Sequence, residues 1–159
     1  MAEERHFHRL TPGQLAASGP RAASRPERYE QILDAIYHGA ELHYAPGGAL
    51  EQPASAAAAG RDPDLDLLKG DESYAAGLLT LAELGDIAAT VELADLIALL
   101  AMARAEGDEL LADCIWAAGA VAVGWGTTEQ LQAAKQAARE RRPGAAQALL
   151  QAADERRLG

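Results

Sequence analysis

The 159 residues carry 24 acidic and 14 basic side chains, for a formal charge of −10 and a pI near 4.8. This balance opposes the basic footprint of a nucleic-acid binder and any attraction to an anionic membrane, so neither is an expected partner. The length fits one domain of the usual roughly 100–200 residues. The hydrophobic share of 49% is largely alanine with only 4% aromatics, which predicts close-packed helices with small residues at their crossings.

Residues 1–28 set Arg5, Arg9, Arg21, Arg25 and Arg28 against Glu3, Glu4 and Glu27, so a segment of charge +2 precedes a body of −12. Pro12, Gly13, Gly19 and Pro20 interrupt residues 1–23, which read as a disordered or extended N-terminal arm. No apolar export segment opens the chain, and Glu3 and Glu4 argue against a transit peptide. Ser24-Arg25-Pro26-Glu27 then has the form of a capping box. Tyr29, Ile32, Leu33, Ile36, Tyr37 and Ala40 follow at helical spacing, which predicts a first helix to about Tyr44. Residues 45–61 are rich in alanine, glycine and proline and read as a flexible loop.

Asp62-Pro63 opens a second helix that runs to Leu84, with Leu67, Leu68, Tyr74, Ala75, Leu78 and Leu81 inward and Gly85 as its stop. Asp86 caps a third, to about Glu106. It is apolar on most sides through Ile87, Val91, Leu93, Ala94, Leu96, Ile97, Leu99, Leu100 and Met102, as a central helix would be. Gly107-Asp108 starts a fourth, with Leu111, Cys114, Ile115, Ala118 and Ala122 on one face, ending near Gly124-Trp125-Gly126. Thr127 with Gln130 predicts the cap of a fifth, and Pro143 the start of a sixth marked by Leu149 and Leu150. Both are weakly apolar and belong at the rim. The expected fold is all-α: an antiparallel bundle of about six helices forming a single domain over 24–159, with the second to fourth helices at its core.

Candidate chemistry is sparse. His6 and His8 form a His-x-His pair without a third ligand nearby, and His38 and His43 are five apart, which suits helix-end solvation better than a shared ligand face. No metal site, cofactor or catalytic residue is expected. Cys114, the single cysteine, sits in the apolar run from Cys114 to Trp125 and reads as an inert core thiol in a reducing, cytoplasmic setting. That run is too short for a membrane span. Trp116, two residues from Cys114, is expected to face away from the inner stripe on a second packing surface, and Trp125 at core or interface. Asp71 and Asp95 fall at apolar positions of their helices. Each therefore calls for a donor or arginine opposite, with a ligand-facing role as the second reading.

The stretch Asp66-Leu67-Leu68-Lys69-Gly70-Asp71-Glu72-Ser73-Tyr74-Ala75-Ala76-Gly77-Leu78, followed by Leu81-Ala82-Glu83-Leu84-Gly85-Asp86-Ile87, resembles the Leu-Leu-x-Gly-Asp helix of trans-isoprenyl diphosphate synthases. It is most similar to the small, non-catalytic subunit of two-component heptaprenyl diphosphate synthase. The similarity covers Asp64 to Glu106, about a quarter of the chain. Catalytic members hold Mg²⁺ with two aspartate-rich segments, and this chain contains no Asp-Asp-x-x-Asp. The resemblance therefore implies a non-catalytic accessory subunit acting by binding a protein partner or hydrophobic ligand, with homo-oligomers expected across its apolar helices. The alternative is a helical interaction or scaffold protein unrelated to isoprenoid metabolism.

Overall fold

The computed structural model describes residues 10–44, 60 and 62–159, and among them every regular element is helical. In chain order these are α1 (Pro12–Ala17), a 3₁₀ turn (Pro20–Ala22), α2 (Pro26–Tyr44), α3 (Pro63–Leu84), α4 (Ile87–Ala105), α5 (Glu109–Trp125), α6 (Glu129–Arg139) and α7 (Ala145–Leu158). The all-α expectation holds. Apart from Gly60, the segment 45–61 lies outside the described residues, as do His6 and His8.

Local chemistry marks most helix boundaries. The Asp62 carboxylate accepts from the Asp64 and Leu65 amides at 3.0 and 3.4 Å, Pro63 occupies the first turn, and Asp64 and Asp66 place negative charge at the positive end of α3. Gly85 ends that helix at φ 67°, a left-handed conformation that suits glycine. Asp108 serves two helices: its amide donates to the Ala103 carbonyl at the end of α4, and its side chain accepts from the Leu111 amide to cap α5. Two starts move relative to the sequence reading. Thr128, not Thr127, caps α6 through the Leu131 amide, and α7 begins at Ala145 behind Gly144 rather than at Pro143.

Within residues 1–23, expected to be a disordered or extended arm, residues 11–22 are folded. The Thr11 hydroxyl accepts from the Gln14 amide and the Gln14 side chain accepts from the Thr11 amide, a closed capping box with Pro12 in the first turn. Proline there starts a helix, although its neighbour Gly13 made it read as a breaker. Leu15, Ala16 and Ala22 are buried.

Contacts sort the chain into two compact units, one of residues up to Glu30 with Asp86–Gly159, the other Gln31–Gly85. In the first, α5 is the hub. Twelve of its 17 residues are buried, and it packs on α1, the 3₁₀ turn, α4 and α7. This corrects two expectations: α5 rather than α4 is central, and α7 is no rim helix. Small residues permit the approach, since a Cβ on Gly19 would overlap the Gly124 carbonyl. From α4, Leu93, Leu96 and Leu100 are at most 1% exposed, each such burial stabilising by roughly 1.5–3 kcal/mol.

In the second unit, α3 buries Gly70, Gly77 and Leu81. A Cβ on Gly77 would lie 2.9 Å from Ile36 Cγ1 and 3.1 Å from the Ile32 carbonyl, so glycine seats α3 directly on α2. The inward face expected from leucine count is thereby corrected in part: Leu81 is buried and Leu67 and Tyr74 are half-buried, as expected, but the other three residues are not. Leu68 and Leu78 are 58% and 46% exposed, and Ala75 is exposed too.

Candidate functional site

The deepest polar group of the first unit lies between α4 and α6. Glu92 and Asp95 are three apart on α4, and Lys135 and Arg139 are four apart on α6, so each pair shares a helix face. Lys135 Nζ donates to a Glu92 carboxylate oxygen and lies 3.1 Å from Asp95 Oδ2, while Arg139 donates to Asp95 Oδ1. Gln132 Nε2 completes the cluster, donating to Glu92 Oε1 at 3.3 Å and to Thr127 Oγ1 at 2.7 Å. The side chains of Lys135 and Glu92 are 2% and 6% exposed. Two anions face two cations, each engaged by the other helix, and the arrangement works as a clamp that fixes α6 on α4. Asp95 thus has the arginine opposite that its position required. Lys135 and Glu92 were missed, although both lie on the apolar stripes of their helices: Lys135 with Leu131, Ala134 and Ala138, and Glu92 with Ala89, Leu93 and Leu96.

Asp71 is placed differently. Its side chain is 73% exposed, because the packed side of α3 runs through Gly70 and Gly77 instead. Its Oδ1 lies 3.4 Å from Nε2 of His43, which also meets the Leu67 carbonyl at 3.2 Å. His43 is 7% exposed and seated over Gly70 with its ring 5.4 Å from that of Tyr74, so the expectation of a solvated helix-end histidine is corrected. Burial, then the neighbouring Tyr44 and Asp71, push the Tyr74 hydroxyl up to about 12.

Trp116 is 4% exposed. Neighbouring helices cover α5 at this off-stripe position, so Trp116 packs inside the chain, while the exposed residues of the helix are Leu110 and Asp113 among others. Trp125 is half-buried, with the Arg157 guanidinium 6.0 Å from its ring centroid and its carbonyl accepting from Arg156. Cys114 is buried, and burial together with the charges of Asp113 and Asp108 raises its thiol to about 11, which keeps it protonated and unreactive at neutral pH. It lies in the wall of a groove of about 650 Å³ with Leu111, Ala138, Ala145 and Leu150. At the rim, Arg141 is paired with Glu106 and Arg142 with Glu140. Arg141 has φ 54° as the left-handed residue of a Schellman turn, with its own amide donating to the Ala138 carbonyl and the Arg142 amide to that of Ala137. Capping of α6 therefore accounts for its conformation.

The side of α4 turned away from α5 is open. Ile87 and Val91 are 79% and 61% exposed, and Ala94 and Ala98 on the same side are exposed too. Among the described residues, no group of three or more His, Cys, Asp or Glu is placed to hold a metal ion, and no helix is long and apolar enough to cross a membrane. Comparison with protein-family models, with curated proteins and with solved structures finds no match to this chain. The resemblance to prenyl diphosphate synthases rests on the stretch from Asp64 to Glu106 alone.

Proposed function

We propose that this is a non-catalytic cytoplasmic helical protein that acts by binding a partner on the open apolar face of α4, in the manner of an accessory subunit of a prenyl diphosphate synthase. The observation that carries the reading is the exposure of Ile87 and Val91, two β-branched apolar side chains one helical turn apart in water. An apolar stripe left open on a helix marks an interaction surface when it is contiguous, and Ala94 and Ala98 continue this one. The Gly70-Asp71 helix supports the accessory-subunit version, and the engagement of Glu92, Asp95, Lys135 and Arg139 with one another supports a structural role for the most buried charges. A hydrophobic ligand is the second reading, favoured by the groove beside Cys114, whose volume falls in the range of ligand pockets.

The test uses an environment-sensitive apolar dye on dilute protein. Fluorescence per chain should rise on binding and fall several-fold in Val91→Glu at unchanged helicity. Equal brightness in both proteins would refute the α4 reading. Alone with Mg²⁺, an allylic diphosphate and isopentenyl diphosphate, the protein should yield no condensed product, and any product would overturn the non-catalytic assignment.

A further inference from the structure

We infer that the occupant of the open face of α4 is a second copy of this chain, laid antiparallel along the same helix; the inference rests on the binding reading above. Ile87, Val91, Ala94, Ala98, Ala101 and Ala105 succeed one another at alternating steps of four and three residues. The packed side of α4 uses the same steps, through Ala89, Leu93, Leu96, Leu100 and Ala103. Offset by two residues, the two rows lie on opposite sides of the helix. The chain fills one seam and leaves the other open: five of the six residues are exposed and Ala101 is half-buried. No charged residue occupies the open row. A row of 3.5-residue period along one helix is the surface against which another helix packs.

The distribution of bulk says which helix. Both large side chains, Ile87 and Val91, stand at the N-terminal end, and the other four positions are alanine. A parallel copy would set isoleucine on isoleucine at one end and alanine on alanine at the other, and no single interaxial distance suits both layers. An antiparallel copy sets Ile87 against Ala105, Val91 against Ala101 and Ala94 against Ala98, all about one two-fold axis beside Leu96. No layer then carries two large side chains: one large residue faces one alanine at each end, alanine meets alanine beside the axis, and the surface is complementary to itself, as an isologous dimer requires. Nothing charged opposes the contact near the axis. Ile97 flanks the row, and the Asp95 carboxylate is held by Lys135 and Arg139.

Light scattering over a range of concentrations, on the wild type, Val91→Glu, Ala101→Lys and the double variant, tests this directly, with circular dichroism to check that each stays helical. The wild type should reach twice the chain mass, and each single variant should dissociate about tenfold or more readily. The double variant should recover most of that loss, because the antiparallel pairing sets each introduced carboxylate against an introduced ammonium of the other copy. A parallel pairing would bring like charges together, so failure to recover would overturn the inference. So would single variants that dimerise as well as the wild type, or a wild type that stays monomeric at about 100 μM, far above the dissociation constants of specific dimers. In that last case the dye separates the two ideas. Dye bound to wild type but not to Val91→Glu retains the binding reading and removes the second copy, and no dye bound removes both.

Discussion

Asp86 shows how one carboxylate can hold several segments. Its Oδ1 accepts from the Ala89 amide at 3.0 Å and caps α4. Both oxygens accept from Arg21 Nη2, at 2.9 and 3.0 Å, and Oδ2 accepts from the Tyr29 hydroxyl at 2.7 Å. Through its other nitrogen Arg21 donates to the Val123 carbonyl at 2.8 Å, so the segment after α1, the first turn of α2, the start of α4 and the end of α5 are joined. Burial pushes the Asp86 carboxyl up, but the Ala89 amide, the Tyr29 hydroxyl and Arg21 outweigh it and hold it below its usual 3.8. A folded value below the unfolded one means stability that is fully present above pH 3.8 and is lost as pH falls through the folded value. Asp86→Asn keeps an acceptor for the Ala89 amide but removes the charge that Arg21 meets, so it should cost about 1–2 kcal/mol at pH 7, the order of a charged hydrogen bond. In denaturant titrations the gap from wild type should stay constant down to about pH 4 and narrow below it. A gap that stays constant to pH 2.5 would remove the linkage from this residue.

At the scale of helices, the clamp between α4 and α6 makes the sharpest prediction. Lys135→Met keeps the buried stem but strands the Glu92 carboxylate, which should cost about 3–5 kcal/mol. Adding Glu92→Leu should recover most of it, because an apolar pair of similar volume replaces a buried ion pair at little net cost. Urea midpoints of the two single variants and the double variant close the cycle, and additive losses would mean that the two residues do not act as a pair. The sequence announces helix boundaries well because caps are local: Asp62, Gly85, Asp86, Gly107 and Asp108 act within a few residues of themselves. The seating of helices is legible only where one chain segment implies the other. Gly70 and Gly77 carry the contact of α3, so counting leucines rotates that helix wrongly. Trp116 reads as an interface residue only while the helices that cover α5 at that position are unknown. The charge cluster is half visible, since Asp95 and Lys135 each break an apolar stripe, but only packing pairs residues about forty positions apart. His43 is silent in the sequence because its burial depends on the absence of a side chain at Gly70.

For the whole molecule, charge and association oppose each other. Each chain carries −10, so two copies repel over the distance that salt leaves unscreened, about 30 Å at 0.01 M and about 10 Å at 0.1 M. The proposed α4 seam contains no charged residue, so its contacts are insensitive to salt while the surrounding repulsion is not. Dimerisation should therefore tighten several-fold as salt rises between those two concentrations. A basic partner attracted to the acidic body would show the opposite slope, binding more weakly as salt rises. Sedimentation equilibrium of the wild type at both salt concentrations reads the sign directly. Val91→Glu should remain monomeric at each, because added salt screens the repulsion between chains without removing the cost of burying an introduced carboxylate in the seam. A wild-type dimer that loosens with salt would show that ion pairs between the copies, rather than the apolar row from Ile87 to Ala105, hold it together.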